Sequence, residues 1–145
     1  MLPTDALKQL AYYAGTITGL NADYPATNRI KAPHLMVWFN EAEIISPGEQ
    51  LWRMTAKGQL LGSVKGGDIK TDFINVEQFF APLADLFSPQ NHAAYHLLDS
   101  VTGAMVDFCQ LSRIASGQAI NWLGSDYYGA ELFFDIKLRR FAGDS

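Results

Sequence analysis

Glu131-Leu132-Phe133-Phe134-Asp135-Ile136-Lys137-Leu138-Arg139 is the stretch that decides the class of fold. Leu132, Phe134, Ile136 and Leu138 alternate with Glu131, Asp135, Lys137 and Arg139. A repeat of two belongs to a strand with one buried face and one wet face. The four apolar side chains are therefore expected in the core. Phe133 falls on the otherwise polar face, between Glu131 and Asp135, and an apolar ring there is a modest sign of a partner surface. Just upstream, Gly124-Ser125-Asp126 signals a turn and Ala119-Ile120-Asn121-Trp122-Leu123 is a second apolar run. Together they predict a β-meander closing the domain.

Working outward, Thr4 and Asp5 are good helix-capping residues, and Ala6, Leu10, Tyr13 and Ile17 recur at helical spacing. A helix from about Asp5 to Thr16 is expected. Residues 19 to 33 are polar and marked by proline, which predicts a long surface loop of the kind that carries function. His34-Leu35-Met36-Val37-Trp38-Phe39 is an apolar run suited to a central strand buried on both faces. Pro47-Gly48 marks a turn. Leu51–Thr55 and Leu60–Val64 read as two strands, or one long bent one, with Lys57-Gly58 between them.

Asn75-x-x-Gln78 resembles a capping box, and Val76, Phe79, Phe80, Leu83, Leu86 and Phe87 follow on one helical face. An interior proline at position 82 costs a helix about 3 kcal/mol. The helix therefore bends there or starts near Pro82. Ser88-Pro89 signals another helix start, and Leu97, Val101, Ala104, Met105 and Phe108 continue at helical spacing; the competing reading is a hairpin turning at Ser100-Val101-Thr102-Gly103. Val106–Ile114 and Ala119–Leu123 return to strand. About three helices and five or six strands, grouped rather than alternating, predict an α+β fold in which helices pack on an antiparallel or mixed sheet.

The 145 residues suit a single domain spanning 1–145. A net charge of -4, with scattered Lys and Arg, argues against gripping nucleic acid by its phosphates. Cys109 is the only cysteine, so no intrachain disulfide is expected and a reducing compartment fits. The N-terminus lacks the basic head and apolar core of a signal peptide, and no stretch approaches the ~20 apolar residues of a membrane span.

No constellation of residues calls for catalysis. His92 and His96 stand four apart on an expected helix, but a zinc site needs further ligands that no diagnostic spacing supplies. His34 beside Pro33 reads as structural. Cys109 has an acid two residues away and no evident base, which suits a buried thiol better than a nucleophile. Lys65-Gly66-Gly67-Asp68 lacks the phosphate-loop pattern. Asp68 with Asp72, and Glu41 with Glu43, read as solvated surface. The expectation is a protein that is not an enzyme and uses no metal or cofactor.

Three segments in order resemble the tail-terminator or head–tail connector proteins of long-tailed bacteriophages. They are Gly19-Leu20-Asn21-Ala22-Asp23-Tyr24-Pro25 leading through Ala32-Pro33 into a strand, then Leu97-Leu98-Asp99-Ser100-Val101 followed by Val106-Asp107-Phe108-Cys109, and finally Ile120 through Leu132. The resemblance implies a ring-forming virion subunit, often a hexamer, at the head-proximal end of the tail tube, assembled in the host cytoplasm. It would stop tube growth and meet a head-closure protein, with DNA passing through the lumen without sequence-specific binding. It carries over no catalytic residue. The loop from Leu20 to Lys31, with Tyr24 and Arg29, and the exposed ring of Phe133 are the expected subunit or tube contacts. A cytoplasmic inhibitor or immunity-type binding protein is the alternative, followed by a small-ligand-binding domain with its pocket between sheet and helices.

Overall fold

Apolar residues at every second position pull four long strands onto one set of helices. The computed structural model describes residues 3–24, 29–46, 48, 51–64, 74–88 and 105–139. Within them, helix α1 (Pro3–Ala14) precedes strands β1 (Asn21–Asp23), β2 (His34–Ser46) and β3 (Leu51–Val64); helix α2 (Phe80–Leu86) then leads to β4 (Met105–Trp122) and β5 (Ser125–Arg139). One mixed five-stranded sheet results, in the order β1-β2-β3-β5-β4. Only the β1–β2 pair is parallel. The expected α+β class, with helices on a mixed sheet, holds.

The helices cover one face of that sheet. Ala6, Leu7, Leu10, Ala11 and Ala14, spaced by three and four, bury one stripe of α1. Leu83 and Phe87 do the same from α2, joined by Val76 and Phe79 from the turn before it. Opposite them stand Leu35, Val37, Met54, Ala56, Leu60, Ala130, Leu132, Phe134 and Ile136. Phe87 meets Phe134 edge to face with ring centroids 5.5 Å apart. Leu132, Phe134 and Ile136 thus lie where the alternation placed them, and Phe133 lies on the other face; the Leu138 side chain is outside the described set.

Several local expectations give way to pairing. Of the two readings of 51–64, the single long strand holds: Lys57-Gly58 does not break β3, which is hydrogen-bonded on both sides, to β2 and β5. Gly58 is there for packing: a Cβ would lie 3.1 Å from Leu35 Cδ1 and 3.2 Å from Phe134 Cε2. Met105 begins a strand, not a helical turn, so helical spacing does not run on to Phe108; Pro89 to Ala104 lie outside the described residues. Val106–Ile114 and Ala119–Trp122 belong to one continuous strand interrupted by bulges. The helix near Asn75 is split, with one turn at 74–77 and α2 from Phe80. Pro82 falls in the first turn of α2, where its missing N–H costs no helical bond. Strand β2 is buried on both faces only at its start: Met36 and Val37 are buried, whereas Phe39 is 47% exposed.

Candidate functional site

The face of the sheet away from the helices is the more distinctive one. In register, Trp38, Lys57, Phe133 and Arg113 form a single row across β2, β3, β5 and β4. The Arg113 guanidinium sits 4.1 Å from the centroid of the Phe133 ring, and the Lys57 ammonium lies 5.9 Å from it on the other side. Lys57 also reaches Glu131 Oε2 at 3.3 Å. Phe133 is therefore flanked by two cations, which attract the negative face of its ring. Ser112 Oγ donates to the Phe133 carbonyl at 3.0 Å.

This outer face is curled. Trp38 is level with Phe133, and Trp122 is level with Ser125, eight residues away along β5. In a flat sheet those levels lie roughly 27 Å apart. Yet the two indoles meet edge to face at 5.6 Å. The hairpin of β4 and β5 must fold back over the sheet, and its bend is visible in register shifts at Ala115/Gln118 and Leu61/Val64. Gly129 sits at the bend, where a Cβ would fall 2.5 Å from the Leu60 carbonyl oxygen and 2.8 Å from Ile120 Cδ1. No other residue fits there. Beneath the curl, Met36, Leu61 and Ile120 are buried and packed by Ile30, Trp38, Trp122 and Tyr127.

The tip of the hairpin is a two-residue loop, Leu123 and Gly124, between the paired Trp122 and Ser125. Both residues have positive φ, 51° and 84°, the signature of a type I′ turn. Asparagine or glycine normally fills the first of these positions. Leu123 instead holds a left-handed conformation while 66% exposed, a strained apolar knob of the kind found at contact sites. Sequence reading missed it, since Trp122-Leu123 looked like a strand end; a leucine directly before a turn glycine was the available signal.

The loop before β2 is held by its own side chains. His34 is buried; its Nδ1 accepts from the Lys31 backbone N–H at 3.0 Å and its Nε2 lies 2.6 Å from Asp23 Oδ2. The proton therefore sits on Nε2. Asn21 Nδ2 donates to the Lys31 carbonyl at 2.7 Å, and the Asn21 N–H donates to the Pro33 carbonyl at 3.0 Å. Tyr24 packs on the main core while Ile30 packs under the curl, so the loop straddles the sheet edge with Arg29 exposed on it. The three expected contact residues are thus not gathered together. Arg29 is next to the curled cluster through Ile30, Phe133 belongs to the floor of the same face, and Tyr24 turns to the opposite side.

Chemistry is sparse around these features. Among the described residues no three His, Cys, Asp or Glu side chains converge as a metal would require; His92, His96, Asp68 and Asp72 lie outside them. Cys109 is buried, and burial, helped by the charge of Asp135, pushes its thiol well above the ordinary range. Burial, with Glu77 nearby, also raises the Tyr128 phenol. Hollows between Gly19, Pro33, Gly62 and Phe79, and beside Arg53, are open and hold about 260 to 310 Å³, at the small end for a ligand site. No described helix is long and apolar enough to cross a membrane. The chain matches no protein-family model and no curated protein.

Proposed function

We propose that this chain is a structural virion protein of a long-tailed bacteriophage, a tail terminator that forms a ring on the head-proximal end of the tail tube and joins it to the head connector. The reading is carried by where the resembling segments fall on the fold. Gly19–Tyr24 contains β1, which pairs with the start of β2, the run from Val106 lies in β4, and Ile120–Leu132 makes the curled hairpin, while Leu97–Val101 lies outside the described residues. The elements that resemble the family are thus those that shape the outer face and its rim. A ring needs two different, complementary patches on one subunit, and this chain offers an exposed loop, an exposed hairpin knob and long sheet edges.

Its partners on this reading are further copies of itself, the tail tube protein and a head-closure protein, with DNA passing through the lumen. Purified chain added to polymerising tail tube protein should arrest growth and leave a ring at one tube end in negative-stain electron microscopy. Tubes of unchanged length with bare ends would contradict the proposal. The inhibitor reading would then take its place, resting on the exposed Glu41, Glu43 and Ile44 of β2.

A further inference from the structure

Resting on the ring-forming reading above, we propose that neighbouring subunits join knob to hollow: Leu123, at the hairpin tip of one copy, enters the hollow lined by Ile45, Arg53, Asp135, Ile136 and Lys137 of the next, and Asp126 beside it meets Arg53 and Lys137. The tip is shaped to present that leucine. Its two loop residues, Leu123 and Gly124, hold φ of 51° and 84° in a turn that favours asparagine or glycine. In the lone subunit the leucine side chain is exposed, so burial within the fold does not offset the strain. Burial against a second copy does.

The knob is held in place before any contact forms. Trp122, the residue before it, packs edge to face on Trp38 at 5.6 Å, and Asn121 Nδ2 donates to Asp126 Oδ1 at 3.0 Å. A surface fixed in advance loses little conformational freedom on binding. On the receiving side, Ile45 is another large apolar side chain left exposed, and the buried Ile136 lines the same hollow. Its volume is about 310 Å³, ample for a leucine side chain.

Charge selects this hollow over its neighbours. The hollow at Gly19, Pro33, Gly62 and Phe79 is lined by no charged side chain. Another sets Glu41 and Glu43 against Arg53 alone and would repel Asp126. The hollow at Ile45 reverses that balance, with Arg53 and Lys137 against Asp135. Arg53 and Lys137 are partners in register across β3 and β5, so the two cations stand side by side. Opposite charge around an apolar contact orients and selects the partner. None of the tip residues lines the hollow, so within one copy the two stay apart. The contact therefore joins two unlike patches and repeats from subunit to subunit, as a ring requires. A two-fold pairing of tips would instead bring Asp126 up to its own copy, a like-charge contact.

The test is the assembled mass of the full chain by light scattering across concentration, with and without tail tubes. Leu123→Asn removes the knob, Asp126→Lys faces Lys137 with a like charge, and Lys137→Glu faces Asp126 with one. Each variant alone should need at least about tenfold more protein to assemble, with its melt retained. An equimolar mixture of Asp126→Lys and Lys137→Glu should assemble again, because in an alternating ring every contact then joins opposite charges. Asp135→Asn removes the one acid lining the hollow and should tighten assembly several-fold, a gain that misfolding cannot imitate. Variants that assemble like the parent, or a mixture that does not recover, would overturn the knob contact while leaving a ring built by other surfaces. A Leu123→Asn variant that forms rings normally yet fails only on tubes would overturn it too, since the knob would then meet the tube. So would a dimer that grows no further. A chain monomeric at every concentration, tubes present, would remove both the knob contact and the ring reading.

Discussion

Arg113 lies over the ring of Phe133, 4.1 Å from its centroid, while the next residue, Phe134, is fully buried against Phe87 on the other side of the sheet. Adjacent phenylalanines thus have unlike roles. One belongs to the core and the other to an exposed row of aromatic and basic side chains.

Phe134→Ala should accordingly destabilise the fold by about 3–5 kcal/mol, as large-to-small core changes do. Phe133→Ala removes a half-exposed ring and a cation–π contact and should cost about 1 kcal/mol. Urea denaturation separates the two. A double-mutant cycle between Phe133 and Arg113 should return a coupling of about 0.5–1 kcal/mol.

Leu123→Asn should raise stability by about 0.5–1 kcal/mol, because asparagine accepts the left-handed conformation that leucine strains to hold. If the knob is a contact, the same variant should bind tail tubes more weakly even as its melting temperature rises. Unchanged binding would mean that Leu123 contributes nothing to assembly.

His34→Ala should cost about 1–3 kcal/mol by leaving the Lys31 N–H and the Asp23 carboxylate without their shared partner. Hydrogen exchange checks the mechanism directly: the Lys31 amide should lose protection while amides in β3 and β5 keep theirs relative to global stability. Arg29→Ala, on the exposed part of the same loop, should leave the melt within about 0.5 kcal/mol. Tyr24→Ala is the poorer probe of assembly, since its ring also packs on the core.

Cys109 holds its proton more tightly when folded than when unfolded. A group raised in this way contributes stability that is fully present below the ordinary thiol value, near 9, and lost above it. Stability should therefore fall by up to about 1.4 kcal/mol per pH unit above pH ~9. Cys109→Ala should flatten that slope between pH 8 and 10, below the range in which Tyr128 adds a loss of the same sign. In the native state at neutral pH, a thiol reagent should react only as fast as the protein unfolds.

What was legible in the sequence was what local periodicity controls. The stripe of α1 and the buried set Leu132, Phe134 and Ile136 follow from spacings of three to four and of two. Whether 51–64 is one strand or two stayed open in the sequence, because Lys57-Gly58 is a local break signal; pairing on both sides of β3 decides for one. The curl was hidden for a different reason: Trp38 meets Trp122 only through bulges and a glycine corner at Gly129, neither of which leaves a periodic trace. Tyr24, Arg29 and Phe133 stood out by composition and context, but which face each side chain takes depends on how the loop straddles the sheet.

The most direct measurement is electron microscopy of phage particles made without this chain. A tail terminator's loss should give tails of abnormal length or tails unattached to heads, repaired when the purified chain is supplied. Tails of normal length attached to full heads in its absence would contradict the proposed function outright.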